Sequence, residues 1–401
     1  MITKKTICKI YILSGLLLPI LFLYSLPIKG FTVGDLFLVL SIALMFATGN
    51  VKKISYPFLI LITSLVFNTL SVFLIKSFSM STLLTSLRYF VYLFYIVLLP
   101  NCENFKSFAT TSYLNIVKIC MFYLFLQTMV LKVTGFCLPG VLTFARLTDS
   151  SLADYQSAVM IQNSGRCMSL FGEPSHYSIY VLPSLALCLF YSNTSHKYLM
   201  SLLISASIIL SLSFTGVLVM ALIWLVFLLK TMHRSGFSIQ ILLFVFFSFI
   251  VAIVLFSTTK AGSYLINASN FKSQSGGRFE GFKYVFTLKQ SFFGLLFGNG
   301  MDDIGEKIYL ASWPRIIYYF GYFGFVIYLL IFLYFAKIWK LGGIIMLITI
   351  ILMIGTEFTF GPLFIPYVVF IIAYRNEEYV EQKRKSTIGI GSLCENQLSI
   401  I

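Results

Sequence analysis

The feature that most limits what this chain can fold into is a succession of apolar runs, each near the length that crosses a bilayer. About twelve can be marked: Ile10–Ile28, Phe31–Thr48, Tyr56–Ile75, Met80–Leu99, Tyr113–Val133, Ser175–Tyr191, Tyr198–Phe214, Gly216–Leu229, Ile239–Ser257, Trp313–Phe335, Leu341–Gly355 and Phe360–Tyr374. Of the 401 residues, 59% are hydrophobic and only 11% charged, where a soluble domain would carry about a quarter charged. The fold class expected is all-α: one integral membrane domain built as a polytopic helix bundle. Lys4, Lys5 and Lys9 before the first run resemble a signal peptide. That run is long, contains Pro19 and lacks a small-residue cleavage site, so it reads as an uncleaved first span.

The net charge of +15 invites a nucleic-acid partner. Its distribution argues against one, because the cations fall in loops between spans, where topology explains many of them. Lys52, Lys53, Lys106, Lys197, Lys230, Arg234, Lys337, Lys340 and Arg375 alternate with short loops holding little beyond Lys29 and Lys76. The positive-inside rule then places both termini in the cytoplasm, with a polar tail over 375–401. Two long loops are left on the outer face, about 134–174 and 258–312. Loops of that length in a compact protein are functional or disordered; their aromatic and glycine punctuation favours function. No internal repeat supports the inverted-repeat design of many transporters. The seven cysteines show no metal spacing. Cys137 and Cys167 share the first outer loop and could pair in an oxidising compartment, or stay free.

The first outer loop ends in Gly165-Arg166-Cys167-Met168-Ser169-Leu170-Phe171-Gly172-Glu173-Pro174-Ser175-His176-Tyr177. Pro174 and Ser175 suit the first turn of a helix, whose unpaired N–H groups and positive dipole end would face outward. Beside Arg166, that is a candidate anion site. Glu173 and His176 are three apart and would share a helical face. Each also has a plain structural reading: Glu173 stabilising the helix start through the dipole, His176 simply hydrogen-bonded there.

The second loop carries Gly277-Arg278-Phe279-Glu280-Gly281-Phe282-Lys283, with Phe279, Phe282 and Phe286 at i, i+3 and i+7. This predicts a short helix lying in the membrane interface. Gly298-Asn299-Gly300 reads as a turn. Arg146, Arg166, Lys260, Lys272, Arg278, Lys283, Lys289, Lys307 and Arg315 all fall in these loops or at their edge. Outer cations beside an interfacial helix suit an anionic, lipid-borne ligand, and arginine's planar fork suits phosphate. A polyprenyl diphosphate bearing sugars fits. The alternative is that Arg166 and Arg278 anchor loops by snorkelling. Arg88 lies inside a span: either it belongs to a site, or it pairs with Asp35 at a comparable depth. Glu357, near an outer boundary, reads as solvated.

Gly165-Arg166 and Phe171-Gly172-Glu173-Pro174-Ser175 ahead of a span, followed by Gly277-Arg278-Phe279 and Gly298-Asn299-Gly300 in a later outer loop, resemble the O-antigen polymerase (Wzy-type) family, which is related to O-antigen ligases and other polysaccharide polymerases. The likeness in topology covers the whole chain; the motifs cover two stretches. One feature departs from the family. Its Arg-x10-Gly pattern is absent, since Tyr177 follows Arg166 at that spacing and Lys289 follows Arg278. The resemblance implies a glycosyltransferase of the bacterial inner membrane, acting at its periplasmic face in lipopolysaccharide O-antigen biosynthesis. A glycan passes from undecaprenyl diphosphate onto another lipid-linked repeat unit. On that reading Arg166 and Arg278, with Lys283 in support, hold the diphosphate. Glu173 is the first candidate base and His176 the second. Arg88, Arg146 and Arg315 are further substrate-binding candidates. The partners implied are the undecaprenyl-diphosphate-linked oligosaccharide, the bilayer and, as an accessory, a chain-length regulator. No cofactor and no metal are expected, since no Asp-x-Asp occurs in the outer loops and Asp302-Asp303 substitute poorly. The alternatives are a ligase, using the same donor with a lipid A–core acceptor, and a flippase that moves lipid-linked sugars without extending them.

Overall fold

The structure is a computed structural model. It describes residues 3–27, 30–75, 80–102, 105–162, 165–191, 196–235, 277–288, 291–301, 309–337 and 343–374. The expected span Ile239–Ser257, Lys260, Lys272, Lys289, Lys307, the Asp302-Asp303 pair and the tail from Arg375 lie outside these residues, and so does the side chain of Arg278.

Among the described residues the secondary structure is helical, apart from two isolated antiparallel bridges, Tyr24 with Leu147 and Ser25 with Thr32. The helices are α1 Lys4–Leu21, α2 Val33–Ala47, α3 Tyr56–Ile75, α4 Met80–Leu98, α5 Phe105–Thr134, α6 Leu152–Gln162, α7 Pro174–Phe190, α8 Lys197–Leu210, α9 Phe214–Ser235, α10 Gly277–Thr287, α11 Phe292–Phe297, α12 Ser312–Lys337, α13 Gly343–Gly355 and α14 Phe364–Tyr374. Among the described residues four stretches are long and apolar enough to cross a membrane: Thr82–Asn101, Phe105–Thr134, Phe214–Thr231 and Ser312–Tyr334.

The first and fifth expected spans shift the most. The first helix runs Lys4–Leu21 instead of Ile10–Ile28 because Thr3 caps its start, accepting from Thr6 N at 3.3 Å. It ends early because Ser25 N is taken by Arg146 O at 2.8 Å, outside any helix. The fifth begins at Phe105 rather than Tyr113. Its polar first turns contain neither proline nor glycine, so nothing breaks the helix even though hydropathy fades. The connection between α5 and α7 also holds a helix, α6, that an apolar-run reading passes over.

Tyrosine does much of the bolting between helices. Pro183 inside α7 has no N–H, which frees the carbonyl four residues back; Tyr367 Oη donates to that atom, Ile179 O, at 2.6 Å. Tyr180 Oη donates to Leu16 O at 2.9 Å and Tyr113 Oη to Tyr180 O. Tyr11 and Tyr95 each donate to the other's carbonyl, with rings 4.4 Å apart. A buried phenol finds a backbone acceptor because an unpaired hydroxyl in an apolar interior is costly.

Candidate functional site

The stretch from Gly165 to Tyr177 is set by two buried glutamines. Gln127, in the last third of α5, and Gln156, in α6, are both fully shielded. Gln127 Nε2 donates to Leu138 O at 3.0 Å and to Ser169 O at 3.4 Å, while its Oε1 accepts from Ser169 N at 2.8 Å. Gln156 Oε1 accepts from Gly140 N at 2.8 Å and its Nε2 donates to Phe171 O at 2.9 Å. An amide side chain supplies both donor and acceptor, so each glutamine joins the start of the connection between α5 and α7 to its end. Ser169 sits at φ 56, a left-handed conformation disfavoured for a residue with a Cβ. Its Oγ bond to Cys120 O, 2.5 Å, helps hold it there. Gly140 is required at this crossing, since a Cβ would lie far inside contact distance of Ser169 O.

Beyond this frame the chain turns into α7 as expected, with Pro174 in the first turn. Glu173 is extended (φ −140, ψ 153) and is the N-cap residue, but its carboxylate caps nothing; Oε2 accepts from Ser175 Oγ at 2.9 Å. Glu173 therefore precedes the helix, and the shared helical face expected for Glu173 and His176 is not formed. Arg166, Glu173 and His176 are all partly exposed and flank this frame in sequence. Phe171, packed on Tyr177 and Tyr180 with ring centroids 6.0 and 4.9 Å away, anchors it below.

The same loop is tied down at its middle. Residues 146–148 lie across the turn between α1 and α2: Ser25 Oγ donates to Leu147 O at 3.0 Å, and Thr148 N to Leu23 O at 2.9 Å. Arg146 contributes its backbone there and leaves its side chain exposed. Cys137 and Cys167 are free thiols. Desolvation raises the pKa of both. The thiolate is the reactive form, so Cys137 should react with a membrane-impermeant maleimide faster at pH 9 than at pH 7.5 in whole cells. Labelling only after membrane rupture would contradict an outer first loop.

Arg88 is engaged by the protein. Its Nε bonds Asp35 Oδ2 at 3.1 Å, a terminal nitrogen donates to Gly30 O, and the guanidinium lies 5.1 Å from the Phe22 ring. Asp35 closes a capping box with Thr32 and accepts from Tyr92 Oη at 2.9 Å. The pairing alternative for Arg88 describes what is observed.

In the second loop, α10 forms where the phenylalanine spacing predicts, but it packs on another face. Val285, with Leu310 and Ile317, makes its buried contact, and Gly281 allows the approach, since a Cβ would sit 2.6 Å from Tyr309 O. Phe286 and Lys283 face outward, with Phe292 and Phe293 of α11 also exposed. This leaves an aromatic and cationic surface suited to an interface. Gly298-Asn299-Gly300 is more than a turn. α12 is broken at Gly321 (φ 67, ψ −171). The break frees carbonyls of the preceding turn, and Asn299 N and Gly300 N donate to Tyr318 O and Tyr319 O at 2.8 and 3.1 Å. The end of α11 is also fixed to α3, where Asn68 Nδ2 donates to Phe297 O. Arg315, in the first turn of α12, is paired with Glu357.

The candidates thus fall into three settings. Arg166 and Glu173 lie on the stretch before α7, and His176 in its first turn. Arg88 is held between α2 and α4. Arg315 is held against Glu357, on the helix that also carries α10, α11 and so the Arg278 segment. The sequence reading passes over both glutamines; Gln127, inside an apolar run, carries a usable signal, whereas Gln156, among the mixed residues of α6, carries none. Among the described residues no three His, Cys, Asp or Glu side chains gather as a metal ion would need. Replacing Gln127 by leucine keeps its volume but strips partners from Ser169 N and Leu138 O. We expect a loss of about 2–4 kcal/mol, read as a lowered melting temperature in detergent. An unchanged melting temperature would contradict the bolting role. The chain matches no protein-family model, no curated protein and no solved structure.

Proposed function

We propose that this chain is a bacterial inner-membrane glycosyltransferase, an O-antigen polymerase, with about twelve spans, cytoplasmic termini and its working face in the periplasm. The observation that carries the reading is the approach to α7: an arginine, a carboxylate and an imidazole, all partly exposed, fall between Arg166 and His176, on either side of backbone that Gln127 and Gln156 hold by hydrogen bonds. Electrostatic catalysis needs groups fixed before charge develops.

The chemistry assigned is a displacement at the anomeric carbon of the donor glycan. The acceptor hydroxyl oxygen forms the new glycosidic bond as its proton passes to Glu173, with His176 as the second candidate. The bond to the diphosphate oxygen breaks, and undecaprenyl diphosphate leaves with the electron pair. Arg166 and Arg278, supported by Lys283, meet that growing negative charge. The outward phenylalanines of α10 and α11 suit the lipid-borne end of the substrate.

Deleting the gene in its host should reduce surface glycan to single repeat units, and Arg278→Ala should reproduce this while the protein still inserts. Long chains in the deletion strain would overturn the reading. A ligase mutant would instead accumulate long lipid-linked polymer. Glu173→Gln keeps the shape and removes the base, so elongation should fall about 10²–10⁴-fold at unchanged protein level. Full activity would remove Glu173 from the chemistry.

A further inference from the structure

We infer that the surface where the end of α7 meets the start of α8 and the end of α9 binds an anionic phospholipid, with its phosphate beside Lys197 and Lys230 and its acyl chains along α8 and α9. The inference does not rest on the polymerase reading; it needs only that the chain sits in a bilayer.

An aromatic cluster makes the platform. Phe227 of α9 packs against Phe190 of α7 and Tyr198 of α8, with ring centroids 5.6 and 6.2 Å away, and against Trp224 at 6.0 Å. Trp224 Nε1 donates to Ser205 Oγ at 2.9 Å, which fixes α9 to α8. Lys230 Nζ lies 5.3 Å from the centre of the Phe190 ring, and Lys197 Nζ 5.1 Å from that of Tyr198. Two ammonium groups are thus held on rings that share one neighbour. The topology rule accounts for lysines at this end of the bundle; it does not gather two of them on one aromatic cluster.

A ring face attracts a cation but carries no charge to cancel it, and no protein anion does so either. No Asp or Glu occurs anywhere between Glu173 and Glu280, and Glu173 lies at the opposite end of α7. Among the described residues neither lysine has a carboxylate partner. Lys230 is exposed and Lys197 partly exposed, so an anion outside the protein reaches both without a cavity. The neighbouring surface selects which anion. Leu199 and Leu202 of α8 and Leu225 and Leu229 of α9 are exposed, and both helices run away from the lysines. A free phosphate would use the two cations alone. A phospholipid covers the cations with its headgroup and the leucines with its chains.

The test uses the purified full-length protein in detergent and counts retained lipid by native mass spectrometry, with phosphatidylglycerol, phosphatidylcholine and inorganic phosphate as probes. Phosphatidylglycerol should be retained in preference to phosphatidylcholine, and inorganic phosphate at the same concentration should not displace it. Lys197→Gln and Lys230→Gln should each lower phosphatidylglycerol retention about fivefold, the usual contribution of one basic side chain at an anionic surface, and together more than about tenfold. Arginine at both positions should restore it. Lys5→Gln with Lys52→Gln removes the same charge elsewhere and should leave retention unchanged. The site is overturned if phosphatidylglycerol is retained no better than phosphatidylcholine, if the Lys197 and Lys230 double variant retains it as well as the unaltered chain, or if the Lys5 and Lys52 pair lowers it equally. Displacement of the lipid by inorganic phosphate would also overturn it, leaving a site for the free anion.

Discussion

Gly298→Ala should undo the docking of α11 on α12. Gly298 has φ 81, and a Cβ there would lie far inside contact distance of Tyr319 O and Gly321 N. Both neighbours are backbone, so neither can swing away as a side chain would. The chain must then give up the bonds from Asn299 N and Gly300 N to the broken turn of α12. We expect a loss of more than about 4 kcal/mol, the range reserved for strain plus lost buried bonds. Little folded protein should be recovered in detergent. Gly135→Ala is the control: its φ is 70, but nothing lies within 4 Å of a Cβ there, so only the conformational cost of about 1–2 kcal/mol remains. Equal effects of the two substitutions would mean that the contact with Gly321 is unimportant.

Asp35→Ala should be nearly as damaging. Asp35 is 3% exposed and holds Arg88 Nε, Tyr92 Oη and Thr32 N together. Removing it leaves a guanidinium without its counter-charge, at a cost of about 3–5 kcal/mol. The double replacement Asp35→Leu with Arg88→Met removes both charges, and buried ion pairs replaced in this way are often close to neutral. Its melting temperature should therefore recover most of the loss. Glycan elongation by that variant then separates the two roles of Arg88. Retained elongation makes the arginine structural, and lost elongation in a stable protein returns it to the substrate site.

How far the sequence revealed the fold depended on the signal each element carries. Helices with sharp apolar edges, such as α3 and α4, fall where hydropathy puts them. α5 runs longer because a polar helical turn looks like a loop when only apolarity is counted. α6 escaped because eleven mixed residues in a loop carry no membrane-length signal. The break in α12 was invisible, since a glycine inside an apolar run is common, and only the arrival of Gly298 opposite it gives Gly321 its role.

The site was legible in its titratable residues and not in its supports. Arg166, Glu173 and His176 stand out because charge is rare in this chain. Gln127 and Gln156 hold the chain between them through the backbone of Ser169 and Phe171, 42 and 15 residues away, a pairing that no local spacing encodes. The phenylalanine period of α10 did locate a helix, but its packing face is chosen by Gly281 and Val285, the small and branched residues that fit closely against Leu310. Tyrosine plays a part that its count does not announce: Tyr113, Tyr180 and Tyr367 are fully buried and tie helices together through backbone carbonyls.

The most direct test reconstitutes the purified chain alone in liposomes with the host's undecaprenyl-diphosphate-linked repeat unit, and resolves the lipid-linked products by size. The account predicts a ladder of lipid-linked multimers, with one undecaprenyl diphosphate released per added unit, and its disappearance in Arg278→Ala. Repeat units that stay single, whether or not they cross the bilayer, would contradict it.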